Sequence, residues 1–206
     1  MVLKLTVGEF QSNCYILKFR ESAILIDAGG DGHLIEETLK KEKVEKIKVV
    51  LTHTHIDHWQ AVPYLIKKFN TQVFLSLKEK ELALNPELNL SAFYGNVAFP
   101  DFRNVIWFKD GDVIRTETFS LRVIESPGHT PGSVLFLRDG EIFTGDTIFK
   151  GSVGRCDLPG GNEKLLFKSI REKILPLPPQ TKIYPGHGPE TTVGEEKRKN
   201  PFLAHL

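Results

Sequence analysis

The run IKVVLTHTHIDH, residues 47–58, joins an apolar segment to a cluster of histidine and aspartate. Its first half, IKVVLT, is short and rich in β-branched residues, which favours a strand buried on both faces. An extended backbone sends alternate side chains to one side, so His53 and His55 point the same way. Asp57 and His58 fall where the chain turns into a predicted helix over about 58–69, and their side chains can point back toward the strand end. Four residues of metal-ligand type therefore converge.

This concentration of imidazoles favours a metal site over a polar loop that happens to be rich in histidine. The chain has seven histidines, and three of them stand in this motif. Imidazole nitrogens suit zinc and iron, and a carboxylate adds an oxygen ligand. His33 and His205 lie outside the motifs, at a predicted helix start and in the tail, and we assign them no role.

Three glycine-containing turns each place one more residue of ligand type at the end of a predicted strand. SPGHTPGS carries His129 after the strand LRVIE, FTGDT carries Asp146 after EIF, and YPGHGP carries His187 after TKIY. Without a Cβ, glycine lets the backbone adopt turn geometry and come close to an ion. A single histidine in a loop is a weak signal, but three such turns beside the first motif indicate one metal cluster.

Strand clusters in each half of the chain, each followed by helices, predict two sheets packed face to face with helices outside. Asp139-Gly140 predicts the turn of a hairpin. The glycine-rich stretch 145–161 is expected to be an ordered loop, and a last helix is expected from Gly194 to about Asn200. No fixed-period repeat and no low-complexity linker is seen, so we expect one domain over 1–206.

Composition limits the classes of protein and partner. The chain has 206 residues, a net charge of +1 and 40% hydrophobic residues, as in an ordinary soluble enzyme without an electrostatic preference for nucleic acid or anionic membranes. The N-terminus MVLKLTVGEF has the alternation of a first strand and no signal-peptide pattern. Cys14 and Cys156 are isolated, which fits neither a disulfide framework nor a CxxC knuckle. We expect a cytoplasmic enzyme with a small-molecule substrate, and assign no oligomeric state.

The ordered set HTHIDH, SPGHTPGS, GD and PGHGP resembles the metallo-β-lactamase superfamily. Within it, NCYIL, IDAGGD, NPELNLS, GDTIFKGSVGRCDLPGG and GHGPETTVGEEKRKNPFL are similar to the short glyoxalase II-like, or hydroxyacylglutathione hydrolase-like, enzymes. The resemblance spans nearly the whole chain. It implies an α/β fold, a four-layer αββα sandwich of the metallo-β-lactamase type, with metals in a cleft at one edge.

The resemblance also implies two divalent metal ions, with zinc expected and iron or manganese as alternatives. One ion would lie on His53, His55 and His129, and the second on Asp57, His58 and His187, with Asp146 bridging both. The implied reaction is hydrolysis of a thioester, of the hydroxyacylglutathione type, by a hydroxide that bridges the metals. Asp57 is expected to act in catalysis by steering that hydroxide.

Two residues outside the ligand set are candidates for supporting roles. Arg155 lies where long-form glyoxalase II enzymes carry a lysine that contacts glutathione, so the resemblance implies substrate binding; a salt bridge across the GSVGRCD loop is the alternative. Asp27, in the DAGG turn, either orients a ligand histidine from behind or is an ordinary turn aspartate.

The chain departs from the family pattern at two points. Gln60 stands where the family usually has glycine, and no C-terminal helical glutathione-binding domain follows PFL. Both departures weaken the expectation that the thiol is glutathione itself. The main alternative is a persulfide dioxygenase with a single iron, which shares HxHxDH and GD…GR, although DLPGG favours the hydrolase. A β-lactamase is disfavoured by the missing signal peptide, and a nuclease by the lack of a basic surface.

Overall fold

The computed structural model describes residues 2–95, 97–101, 103 and 105–205. The chain divides into two compact units, which are described separately here. Unit 1 comprises Met1–Leu75 and Lys80–Phe108, and unit 2 comprises Ser76–Glu79 and Lys109–Leu206. The expectation of one domain over 1–206 stays a prediction beside this division.

Unit 1 contains a six-stranded mixed sheet in which the strands follow one another in chain order. Its strands are β1 (Val2–Val7), β2 (Ser12–Phe19), β3 (Ser22–Ile26), β4 (Lys46–Val50), β5 (Asn70–Ser76) and β6 (Val105–Phe108). β1, β2 and β3 pair antiparallel, whereas β3, β4 and β5 pair parallel. β4 buries Ile47, Val49 and Val50, which agrees with the apolar run predicted for the strand before the histidine motif.

The helices of unit 1 are α1 (Gly32–Lys41), α2 (Val62–Lys68) and α3 (Lys80–Leu84). α1 buries Ile35 and Leu39, four residues apart on one face, against the apolar side of the sheet. Lys40 and Lys41 occupy its last turn, where cations interact favourably with the helix dipole. The amphipathic pattern therefore sets which face of α1 packs inward.

Unit 2 contains a second six-stranded sheet, in the order β14-β13-β10-β9-β8-β7, and a separate two-stranded hairpin formed by β11 and β12. Its strands are β7 (Val113–Arg115), β8 (Ser120–Glu125), β9 (Val134–Arg138), β10 (Glu141–Gly145), β11 (Ile148–Phe149), β12 (Ser152–Val153), β13 (Lys182–Pro185) and β14 (Thr191–Thr192). β10 and β13 pair parallel, and the other strand pairs described for this sheet are antiparallel.

Two capped helices complete unit 2: α4 (Glu163–Ser169), continued by a π-helical turn over Ile170–Ile174, and α5 (Val193–Lys199). The Asn162 side chain accepts a hydrogen bond from the Leu165 amide at 3.0 Å and caps α4. Thr192 caps α5 in the same way. Such caps satisfy amide groups that have no partner within the helix, which fixes where each helix begins.

The predicted α/β class is confirmed by the mixture of helices and sheets in the two units. The hairpin predicted at Asp139-Gly140 is confirmed as well, since β9 and β10 pair across that turn. The helix expected over about 58–69 is wrong in its extent. A 3-10 turn over Ile56–His58 comes first, and α2 begins at Val62, because Pro63 fits only in the first turn of a helix. None of the helices in the described part of the chain has the length and apolar composition of a membrane span.

We expect Leu39→Ala to lower the free energy of unfolding by ~2–5 kcal/mol, because it leaves a cavity behind a fully buried side chain. Leu34→Ala is the matched control on the same helix, since Leu34 is 42% exposed; its effect should stay within about 0.5 kcal/mol. Urea unfolding followed by circular dichroism measures both. Equal losses in the two variants would contradict the assigned buried face of α1.

Candidate metal centre

The histidine motif directly follows β4 in unit 1. His53, His55 and His58 are buried, and Asp57 is half-buried. The rings of His53 and His55 lie 4.9 Å apart between centroids, and those of His53 and His58 lie 4.1 Å apart. Nε2 of His58 is 3.5 Å from Oδ2 of Asp57. Extended backbone followed by a 3-10 turn thus gathers the four side chains, as the spacing in the sequence predicts.

The buried Asp27 carboxylate lies directly behind these histidines. Its Oδ1 accepts a hydrogen bond from the Thr52 amide at 2.8 Å, and its Oδ2 accepts one from the Thr52 hydroxyl at 2.8 Å. The same Oδ2 is 2.9 Å from Nδ1 of His58. Asp27 has a φ of +59°, in the left-handed region that aspartate tolerates better than most residues. Of the two interpretations open from the sequence, the structure places Asp27 against a histidine of the motif.

These hydrogen bonds fix which ring nitrogen carries the proton. A carboxylate only accepts, so Nδ1 of His58 donates to Asp27, and in the neutral imidazole Nε2 then carries the lone pair. Thr52 gives its hydroxyl proton to Asp27 and therefore accepts from Nδ1 of His53 at 3.1 Å. One carboxylate thereby sets the tautomer of both histidines and leaves Nε2 of each able to bind a cation.

In unit 2, His129 is oriented by a backbone carbonyl. Its Nδ1 lies 2.8 Å from the carbonyl oxygen of Arg155, which can only accept, so Nε2 of His129 also keeps its lone pair. Oδ2 of Asp146 lies 3.7 Å from Nε2 of His129 and 3.7 Å from Nε2 of His187. The carboxylate of Asp146 therefore faces two imidazole nitrogens.

The turn that carries His129 is held by Glu79, a fully buried residue that the sequence analysis missed. Oε1 of Glu79 accepts hydrogen bonds from the Thr130 hydroxyl at 2.7 Å and from the Gly132 amide at 2.8 Å. A Cβ at Gly132 would lie 2.7 Å from the backbone nitrogen of Glu79, so the close approach requires glycine. Gly132, the second glycine of SPGHTPGS, indicated that another part of the chain comes close to this turn. Nothing in the sequence identified Glu79 as the partner.

Residues that could hold a metal ion stand in two groups, one in each unit. His53, His55, Asp57 and His58 lie in unit 1, and His129, Asp146 and His187 lie in unit 2. All seven residues expected as ligands appear in these groups. Imidazole nitrogens and carboxylate oxygens form a donor set suited to zinc or iron, so the chemistry of the residues fits the expected ions.

Arg155 forms a two-point ion pair with Asp157 and leaves its side chain 62% exposed. Nε of Arg155 lies 2.6 Å from Oδ1 of Asp157, and its Nη2 lies 2.7 Å from Oδ2. Hydrogen bonding from the guanidinium lowers the pKa of Asp157 to about 2. The salt bridge expected as the alternative is therefore present. Both residues also line a cavity of about 500 Å³, together with apolar side chains that include Leu166 and Phe167.

The remaining residues singled out in the sequence lie apart from these groups. Gln60 is exposed and lines a cavity of about 340 Å³, with His33 and Tyr64 among its other lining residues. Nδ1 of His33 lies 3.0 Å from the Tyr64 hydroxyl. Cys14 is fully buried, which raises the pKa of its thiol, and Cys156 is half-buried with a raised pKa for the same reason. Neither cysteine belongs to a metal-type group of the described residues.

Known proteins are similar to this chain along nearly its whole length. A family model of the metallo-β-lactamase superfamily matches residues 7–187. The probable metallo-hydrolase YqgX of Bacillus subtilis is 35% identical over 202 residues, 97% of this chain and 96% of the relative. The hydroxyacylglutathione hydrolase GloC of Haemophilus influenzae is 33% identical over 201 residues, 96% of this chain and 95% of the relative.

Solved structures agree with the sequence relatives. BLEG-1, a B3 metallo-β-lactamase, superposes with a TM-score of 0.91 at 36% identity, covering 99% of this chain and all of that one. TTHA1623 in a di-iron-bound form superposes with a TM-score of 0.84 at 36% identity, covering 98% of this chain and all of that one. The α/β fold is that of these proteins, and the chain belongs to the metallo-β-lactamase superfamily.

Proposed function

We propose that this protein is a dinuclear metal-dependent hydrolase that cleaves a thioester of the hydroxyacylglutathione type. The observation that carries the proposal is the fixed protonation of three buried histidines. His53, His58 and His129 each direct Nδ1 to a partner in the protein, which leaves Nε2 for a cation. Imidazoles oriented in this way, together with the carboxylates of Asp57 and Asp146, form a donor set for divalent ions, whereas a structural histidine cluster needs no such uniform orientation.

We infer that these seven residues hold two ions. His53, His55 and His129 would hold the first ion, and Asp57, His58 and His187 the second. Asp146 would bridge both, which its contacts with His129 and His187 support. Zinc is the ion we propose, with iron or manganese as alternatives that the same donors accept. The di-iron-bound form of TTHA1623 supports a dinuclear site.

A pair of divalent ions supplies an activated water and an electrophile that polarises the acyl carbonyl. Hydrolysis would join one water to the acyl carbon and break the carbon–sulfur bond, which would give a carboxylic acid and a free thiol. The Asp57 carboxylate can accept a hydrogen bond from the attacking water and so orient it. No serine or cysteine nucleophile is needed for this reaction, which agrees with the burial of Cys14.

The thioester assignment is supported by likeness to GloC and by the loop GSVGRCDLPGG. Within that loop, Arg155 is the residue we propose for binding the substrate. Its guanidinium is largely exposed and already holds a carboxylate at two points, so it has the geometry to bind a carboxylate or carbonyl of the substrate in place of Asp157. A β-lactam is the second candidate substrate, because BLEG-1 is 36% identical over nearly the same length.

A substrate panel with metal analysis tests the proposal. We expect the zinc-loaded protein to contain two ions per chain and to release thiol from S-lactoylglutathione or a related thioester. His53→Ala should abolish turnover and lower metal content together, whereas His33→Ala should change neither. A single iron per chain with oxygen consumed on glutathione persulfide would replace the proposal with a dioxygenase, and a strong preference for β-lactams would replace it with a β-lactamase.

We expect Asp27→Asn to lower zinc affinity by about 10–100-fold, the usual cost of losing a partner behind a metal ligand. The new amide would present a donor to His58, which favours the tautomer with its proton on Nε2. Asp31→Asn is the matched control: Asp31 also has a positive φ in the same turn, but it is exposed, and its carboxylate accepts a hydrogen bond from the Gly8 amide, away from the histidines. Competition with a chromophoric chelator measures both affinities. Unchanged affinity in Asp27→Asn would refute the tautomer argument.

Arg155→Met should raise KM for the thioester by about tenfold, the size of one charge-assisted hydrogen bond, and leave kcat within about twofold. The backbone carbonyl that holds His129 is retained in this variant. Arg103→Met is the control, since Arg103 is an exposed arginine that pairs with Asp101 in the same two-residue spacing. Steady-state kinetics distinguish the outcomes. An unchanged KM would mean that Arg155 does not bind the substrate and serves only in the ion pair with Asp157.

A further inference from the structure

Helix α5 carries a buried carboxylate that has no part in the proposed ligand set. Glu196 is 1% exposed, and both of its oxygens accept hydrogen bonds. Oε1 accepts one from the Thr191 hydroxyl at 2.6 Å. Oε2 accepts one from the Gly151 amide at 2.9 Å and one from the Asn200 side-chain amide at 2.8 Å. Burying a carboxylate is costly unless such donors surround it, so this residue is committed to its partners.

Two of these contacts reach the tip of the β11–β12 hairpin. Gly151 stands in its turn with a φ of +70°, and its amide is held by Glu196. The neighbouring Ser152 carbonyl accepts a second hydrogen bond from Asn200 at 3.0 Å. Glu196 and Asn200 are themselves hydrogen-bonded, so they act as one unit. We call this set of contacts the hairpin clamp.

Both ends of the clamped hairpin lead to residues of the candidate metal centre. β11 begins two residues after Asp146. After β12 the chain reaches Gly154, where a Cβ would lie only 1.7 Å from the Asp146 carbonyl oxygen. The next residue, Arg155, offers the carbonyl that binds Nδ1 of His129. A shift of the hairpin would therefore move the backbone of Asp146 and the acceptor that orients His129 together.

We infer that Glu196 is a positioning residue for metal binding, acting through the hairpin on Asp146 and His129; this inference rests on the proposed metal-dependent function. Glu196 touches none of the proposed ligands through any contact described above. Glu196 lies 45 residues from Gly151 in the sequence, so its hydrogen bond is a tertiary constraint on a hairpin whose own ladder pairs two residues of β11 with two of β12. The hairpin clamp therefore fixes the geometry of two ligands.

The test compares variants of the full chain that differ in which bond of Glu196 they remove. Glu196→Met keeps a similar volume but accepts no hydrogen bond, and we expect zinc affinity to fall about 10–100-fold. Glu196→Gln can keep an oxygen toward Gly151 and Asn200 and turn its amide toward Thr191, so it should recover affinity to within about threefold of the wild type. Chelator competition with zinc alone measures each affinity, and thermal melting measures stability.

Thr191→Val separates positioning from stability. It removes the bond to Oε1 of Glu196 and a longer bond to Glu195 at 3.3 Å but leaves the bonds to the hairpin, so it should lower the melting temperature and keep zinc affinity. Asn200→Ala is the milder hairpin variant if Glu196→Met does not fold, and it should lower zinc affinity several-fold more than Thr191→Val. Glu195→Gln, on the partly exposed neighbour, should leave zinc affinity unchanged.

Two results would overturn the inference. The first is that Glu196→Met and Asn200→Ala both bind zinc as tightly as the wild type. The second is that the loss of zinc affinity is proportional to the drop in melting temperature in Thr191→Val, Glu196→Met and Asn200→Ala alike. Failure of the proposed function looks different. A wild-type protein that binds two zinc ions but hydrolyses no thioester would refute the thioesterase assignment, while the affinity series would still support the hairpin clamp. A wild type that binds no zinc would overturn both.

Discussion

The hydrogen bonds of the Asp27 carboxylate are the constraint on which the candidate centre depends. A buried carboxylate must be surrounded by donors, and Asp27 finds them in Thr52 and His58. Because it can only accept, each donor is left with one defined orientation. His58 directly, and His53 through the Thr52 hydroxyl, then present Nε2 in the form that binds a cation. The left-handed backbone at Asp27 is the local strain that places this carboxylate behind the motif.

In unit 2, a backbone carbonyl orients a candidate ligand histidine in the same way. The carbonyl of Arg155 fixes His129, and the two loops involved are each held by a buried carboxylate, Glu79 for the His129 turn and Glu196 for the hairpin. Buried charges of this kind add little net stability when compared with apolar packing, but their removal leaves donors without partners. The two carboxylates act by holding the loops in place, since metal affinity depends on the placement of each donor to within tenths of an ångström.

The superfamily fold accommodates more than one reaction, so the metal site by itself does not choose the substrate. Relatives of similar identity have names as different as GloC and BLEG-1. The features that can discriminate lie outside the ligand set: the exposed guanidinium of Arg155, the adjoining cavity with its apolar wall, and Gln60 in place of glycine. Substrate choice is therefore a property of the loops, and metal chemistry is a property of the strand ends that carry them.

The sequence by itself determined the α/β class and the seven candidate ligands, because those signals are local. Each signal can be recognised within a few neighbouring residues. These signals are the apolar strand before HTHIDH and the glycine-containing turns around His129, Asp146 and His187. It missed the start of α2 because Pro63 shortened an otherwise helical pattern. Only the tertiary structure decided what orients the ligands. Glu79 acts on Thr130 across 51 residues, and Glu196 on Gly151 across 45. Such pairings depend on how the chain folds back, and neither residue has a local pattern that distinguishes it from a surface glutamate.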